Sequence, residues 1–212
     1  MKQNKPIIGI TGTIAAGKST ASRYFHNTYG IPIIDADVVG HAVLEEEVVR
    51  QELTKVFGRD ILDAEHGQVD RRRLGRIVFA DPEALKRLNA ITHPAICVRI
   101  GEAIAKIEEE EPGAPFLLVE AIELLRSPLQ DIVREVWVVC ADPQVRVRRI
   151  MKRQNRTEAD ALARVNSQWS DEEYGRRASV IFDGGGDAQA LYAQCDRVYA
   201  RMTETGKESG HA

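Results

Sequence analysis

The chain has 212 residues, of which 43% are hydrophobic and 29% charged, and its formal net charge is −3. That length suits one domain with insertions, and the balance is that of a soluble globular protein with enough apolar material for a core. No bulk basic charge advertises nucleic acid or a membrane surface, no apolar run reaches the length of a membrane span, and the opening MKQNKPIIGI is too short in apolar residues for a secretory signal. The three cysteines, Cys97, Cys140 and Cys195, are widely spaced and form no CxxC or Cys/His metal pattern, which points to a reducing, cytoplasmic setting.

Taken in chain order, PIIGIT (6–11) is a short isoleucine-rich run and predicts a buried strand. GTIAAGKS, from Gly12 to Ser19, then matches G-x-x-x-x-G-K-[ST], a phosphate loop, and residues 18–29 read as the helix this motif requires, ending at Gly30. Glycine at 12 and 17 permits the turns that aim several N–H groups at one point, where the helix adds its positive end. Lys18 supplies a full charge for the β- and γ-phosphates and Ser19 a hydroxyl for Mg²⁺. The expected nucleotide contacts are Gly12, Ala15, Ala16, Gly17, Lys18, Ser19 and Thr20. No NKxD guanine motif is present, so the co-substrate expected is ATP rather than GTP.

Residues 31–35 form a second strand, followed by Asp35-Ala36-Asp37. In a parallel sheet, ligands sit beyond the carboxyl ends of the strands, so both acids are expected to face the γ-phosphate if strands one and two lie close together. Residues two apart on an extended chain point the same way. Asp37 is the candidate base for an attacking hydroxyl. Asp35 either organises the metal's water shell or caps the next helix.

Residues 68–111 carry no strand signal and read as an all-helical insertion: Asp70 caps a helix from Arg71, Asp81-Pro82-Glu83 opens a second, and a third follows His93-Pro94. FLLVE (116–120), VWVVCA (136–141) and VIFD (180–183) are further strands. Glu120, at the end of the third, either serves Mg²⁺ or is simply exposed. Between the last two strands, residues 142–178 read as two or three short, arginine-rich helices, with cap signals at Thr157 and Ser170. Arg149 and Arg153 share a helix face and are candidates to clamp phosphates, the alternative being a solvated basic face. Alternating strands and helices with unbroken apolar strands predict a parallel sheet covered on both faces, the three-layer αβα P-loop kinase fold.

The chain resembles the dephospho-coenzyme A kinase family. The likeness runs over about residues 6–198 and rests on GITGTIAAGKST, IIDADVVGHAV, FGRDIL, GQVDRRRLGRIVF, LNAITHPAI, RRIMKRQN, ARVNSQWS and ASVIFDGGG in the family's order. It implies transfer of the ATP γ-phosphate to the 3′-hydroxyl of dephospho-CoA, with Asp37 as base, an acceptor-binding helical insertion and a lid over ATP. His93 matches the family's HP element and His41 lies where the family tends to have Arg or His; either could touch the acceptor or be structural. Two departures stand out. Arg126 replaces an acid expected after the third strand, and Gly184 replaces an amide expected to help bind nucleotide.

The expected layout is a nucleotide-binding core over 1–40, 113–141 and 179–202, an acceptor-binding insertion over 41–112, a lid over 142–178 and a frayed tail over 203–212. Partners are expected to be small molecules, with no nucleic acid or membrane, and the assembly a monomer or weak homo-oligomer. Another P-loop kinase acting on a nucleoside or nucleotide would show the same cradle. An RNA-modifying prenyltransferase would be expected to carry a basic groove. A non-catalytic nucleotide-binding regulator fits poorly with intact Lys18, Ser19 and Asp37.

Overall fold

The computed structural model describes residues 5–208. The described residues form two compact units, one of residues 5–34 and 107–208, the other of residues 35–106.

The first unit is built on a five-stranded parallel sheet in the order β2-β3-β1-β4-β5. Its strands are β1 (Ile7–Gly12), β2 (Ile33–Asp35), β3 (Leu117–Glu120), β4 (Glu135–Cys140) and β5 (Val180–Asp183). The apolar runs form strands because both sheet faces are covered, so alternate residues each find a core. Trp137 and Val139 point to one side, into a cluster with Ile8, Ile10, Phe25, Phe116 and Phe182. Val138 points to the other, with Leu125 and Tyr174. The first cluster is aromatic at its centre: Phe25 and Trp137 lie 5.3 Å apart between ring centroids, and Phe116 meets Trp137 edge-on at 5.4 Å. Phe25 comes from α1 (Lys18–Tyr29), which the Gly30 main chain closes in a left-handed turn. Beside α1 packs α9 (Ala188–Glu208), contributing Leu191 and Cys195. The expected frayed tail is therefore corrected over its first part: residues 203–208 continue α9, and 209–212 lie outside the described residues.

Three short helices, α6 (Pro143–Gln154), α7 (Glu158–Asn166) and α8 (Asp171–Gly175), fill the interval between β4 and β5. Each starts on an oxygen cap. Asp142 accepts from Gln144 and Val145 N–H, Thr157 from Asp160 N–H, and Ser170 forms a reciprocal capping box with Glu173.

The second unit is helical: α2 (Ala36–Val43), α3 (Glu47–Phe57), α4 (Arg71–Ala80) and most of α5 (Pro82–Glu110). Its own core gathers Val43, Val49, Leu53, Ile61, Leu74 and Val78. Asp70 caps α4 as expected, through Arg72 and Arg73 N–H. The two helical runs expected on either side of His93-Pro94 are one helix, with Pro94 inside it. Proline removes one main-chain donor and crowds the preceding turn, yet α5 runs through it, so tertiary packing overrides the local signal.

Among the described residues no helix is long and apolar enough to cross a membrane, and no group of three His, Cys, Asp or Glu is placed to hold a metal. All three cysteines are free thiols. Burial pushes Cys140 and Cys195 up to about 12, which leaves them protonated and inert.

Candidate active site

The phosphate loop connects β1 to α1. Gly12 is required by close approach: a Cβ there would stand 2.2 Å from the Val139 carbonyl oxygen on the neighbouring strand. Ala15 adopts a left-handed φ of 60°, which a non-glycine residue holds only when its surroundings fix it there.

Strand order decides what stands beside the loop. β3, not β2, is the neighbour of β1, so the carboxylate at the end of β3 is the one brought to the loop. Glu120 is buried, not exposed as one reading of the sequence allowed. Its Oε1 lies 3.3 Å from Lys18 Nζ and accepts a 2.6 Å hydrogen bond from Ser19 Oγ; its Oε2 accepts from Ser22 Oγ. Burial pushes this carboxyl up, but the Ser19 and Ser22 hydroxyls and the Lys18 ammonium together outweigh burial and leave it below the ordinary glutamate value. A carboxylate, an amine and two hydroxyls are thus held together with little of the Lys18 and Glu120 side chains exposed.

Other parts of the first unit also grip the loop. Arg149 of α6 donates to Ala15 O at 3.1 Å, to Ala16 O at 3.2 Å and to Gly186 O at 3.1 Å. It therefore ties the phosphate loop to the connection between β5 and α9. Arg153, one turn on, is exposed. The Ile14 N–H donates to Gln168 Oε1 at 2.6 Å.

Both sequence departures have physical accounts. A Cβ at Gly184 would stand 1.9 Å from Ala16 O, so the loop leaves no room for a side chain. Arg126 lies over the Trp169 ring at 4.6 Å from its centroid, with Arg177 at 4.8 Å, and pairs with Glu123 at 3.6 Å. The acid expected at position 126 gives way to half of a cation–π grip.

Asp35 and Asp37 do not share one extended strand face, which corrects the sequence expectation. The helix α2 already begins at Ala36, and Asp35 Oδ1 caps it by accepting from Asp37 N–H at 2.9 Å and Val38 N–H at 3.1 Å. Asp37 is half-buried in the first turn of α2.

In the helical unit, a cavity of about 870 Å³ opens between α2, α4 and α5. Its apolar side includes Leu44, Leu74, Val78 and Phe79, and its polar side His41, Asp70, Arg71 and Arg72. Arg71 Nη2 and His41 Nε2 are 2.6 Å apart; a guanidinium only donates, so the imidazole nitrogen accepts. Phe79 is 85% exposed, an unusual place for a large apolar ring. His93 is half-buried within α5.

Residues 6–189 match the dephospho-CoA kinase family over most of the chain. The chain belongs to the dephospho-CoA kinase family. A dephospho-CoA kinase of Geobacter sulfurreducens is 38% identical over 196 residues, covering 92% of this chain and 98% of that protein. One from Dehalococcoides mccartyi is 37% identical over 179 residues, covering 84% and 87%. Among solved structures, a crystal structure from Thermus thermophilus aligns with a TM-score of 0.79 at 31% identity, covering 94% of this chain and 98% of that one. A dephospho-CoA kinase from Campylobacter jejuni aligns at 0.60 and 28% identity with the same coverage.

Of the residues that hold the loop, the phosphate-loop motif and Arg149 were visible in the sequence as candidates. Ser22 was not, Gln168 stood only inside the ARVNSQWS match with no role of its own, and Glu120 was visible only as a strand-end acid with an open role. Their signal is tertiary: Glu120 lies 101 residues from Ser19, and Gln168 lies 154 from Ile14.

Proposed function

We propose that this chain is a dephospho-CoA kinase that passes the γ-phosphate of ATP to the ribose 3′-hydroxyl of dephospho-CoA, with Asp37 as the base. The observation that carries the nucleotide half is the Lys18–Glu120–Ser19 cluster at the phosphate loop of a family member. Main-chain N–H groups of the loop hold the β-phosphate, Lys18 neutralises charge on the transferring group, and Arg149 fixes a positive charge beside the triphosphate. The Ser19 hydroxyl and the Glu120 carboxylate are hard oxygen donors of the kind Mg²⁺ accepts when phosphates complete its shell, so these two residues would hold it and it would offset phosphate charge there.

Asp37 takes the proton of the attacking hydroxyl as the oxygen–phosphorus bond forms, and ADP leaves with the electrons of the bond that breaks. The helical unit supplies the acceptor site: the Arg71–His41 pair suits an anionic group and the Phe79 wall suits the apolar part of the acceptor. His93 is a further candidate for acceptor contact. Arg153, exposed on α6, is a candidate for the phosphates only when that helix meets bound ATP.

A coupled assay for ADP release with Mg-ATP and dephospho-CoA, run beside a panel of nucleosides and nucleotides, tests the acceptor. Phosphorylation of a nucleoside with dephospho-CoA inert would replace this reading with that of a nucleoside kinase. Asp37→Asn is expected to lower kcat by about 10²–10⁴-fold while ATP affinity stays within about twofold. A variant that keeps most of its kcat removes Asp37 from the role of base.

A further inference from the structure

We infer that Gln168 is a positioning residue for ATP: its side-chain carbonyl fixes the phosphate loop through the Ile14 N–H. The inference rests on the reading that the loop binds ATP, and not on which acceptor is used.

Three observations converge. The bond is short, 2.6 Å, and joins the loop to the four-residue connection between α7 and α8. Its donor immediately precedes Ala15, the residue held at a left-handed φ of 60°. Such a conformation persists only when neighbouring groups over-determine it, and the groups doing so here come from α6, α7 and the segment after them. Ile14 and Ala15 pack against Val147, Ile150, Ala161 and Val165, Arg149 takes the Ala15 and Ala16 carbonyls, and Gln168 takes the Ile14 N–H. Arg149 thus donates to the loop's carbonyls, while Gln168 accepts from its N–H.

Gln168 is itself prepared for this. On one side Ser167 is the C-cap of α7, and the Gln168 N–H donates to Val165 O. On the other, Ser170 starts α8 with a capping box. Between them Trp169 is gripped by Arg126 and Arg177 and packs beside Leu125, Val138 and Tyr174. A side chain anchored on both flanks loses little further freedom when it makes its bond. Arg126, stacked on Trp169, thereby helps to hold the segment that carries Gln168.

The test uses the full chain with Gln168→Met, which keeps length but removes the acceptor, and Gln168→Glu, which keeps an acceptor oxygen. Amide exchange at Ile14 is read by NMR, and ATP affinity by titration calorimetry without acceptor. Gln168→Met is expected to speed Ile14 exchange and weaken ATP binding by about two- to tenfold, the worth of one hydrogen bond, with acceptor KM within about twofold. Gln168→Glu is expected to restore Ile14 protection. Unchanged Ile14 exchange or unchanged ATP affinity in Gln168→Met overturns the inference, as does an equal loss for ATP and acceptor. A chain that binds ATP normally but leaves dephospho-CoA untouched would defeat the acceptor assignment and leave this measurement intact.

Discussion

Removing the charge of Glu120 would take a carboxylate away from the Lys18 ammonium, whose side chain is only 12% exposed. Breaking a buried pair from one side is far more harmful than replacing both partners, because the remaining charge stays desolvated. Glu120→Gln is therefore expected to lower the stability of the ligand-free protein by about 3 kcal/mol. ATP brings negative charge back to Lys18, so the rise in Tm on adding ATP without Mg²⁺ should be larger in the variant than in the wild type, measured by calorimetry. The pH dependence has a definite sign. The folded carboxyl lies below its ordinary value of 4.5, so its contribution is fully present above that pH and is lost as pH falls through the folded value. The difference between wild type and Glu120→Gln should accordingly shrink under acid conditions; a gap that widens with acid would mean Glu120 is not held ionised. At this scale the sequence exposes what is local. Gly12 to Ser19 are contiguous, so their joint purpose shows in a string of letters. Glu120 and Gln168 meet the loop only because the sheet order sets β3 beside β1 and because α7 ends against Ile14, and neither event leaves a local pattern.

Helix caps were legible because capping is decided by two or three neighbouring residues. Asp70, Thr157 and Ser170 each do in the fold what their spacing announces. Asp35 is the instructive case, since the same acid could cap α2 or serve a metal, and its Oδ1 is committed to the Asp37 and Val38 N–H groups. Asparagine caps about as well as aspartate, whereas alanine does not. Asp35→Asn is therefore expected to keep stability within about 0.5 kcal/mol and Asp35→Ala to lose about 1 kcal/mol, read from urea denaturation, with kcat of the asparagine variant within about threefold of wild type. A collapse of kcat in Asp35→Asn at unchanged stability would instead give the carboxylate a chemical part. Long-range packing limits legibility in the opposite direction. Pro94 announces a boundary that α5 ignores over its 29 residues, because packing on both sides of the proline outweighs one lost main-chain bond. The strands, in contrast, read correctly from apolar runs, since β1, β3 and β4 are largely buried and their few polar residues, such as Glu120 and Glu135, sit at the strand ends.

The largest cluster of the sheet unit, around Phe25 and Trp137, and the cluster of the helical unit, around Leu53 and Leu74, share no residue. The sequence placed the helical insertion at 41–112, whereas the compact helical unit spans 35–106. The upstream shift arises because α2 begins directly after β2, at Ala36, with no intervening loop to mark the change. Separate cores imply that a ligand bound within one unit first steadies that unit, since stabilisation is passed on only through the groups a ligand touches. Hydrogen exchange on the full chain with one ligand at a time checks this. Mg-ATP alone is expected to slow exchange over residues 9–22 and 141–170, which contain the phosphate loop and the helices that grip it. Dephospho-CoA alone is expected to slow exchange over residues 38–88, which line the helical cavity. At a hundredfold excess over Kd each ligand offers about 2.7 kcal/mol, ample to register in amides that open by local unfolding. Protection of the phosphate loop by dephospho-CoA alone, with α2 and α4 unchanged, would place the acceptor in the sheet unit and remove the helical cavity from the reaction.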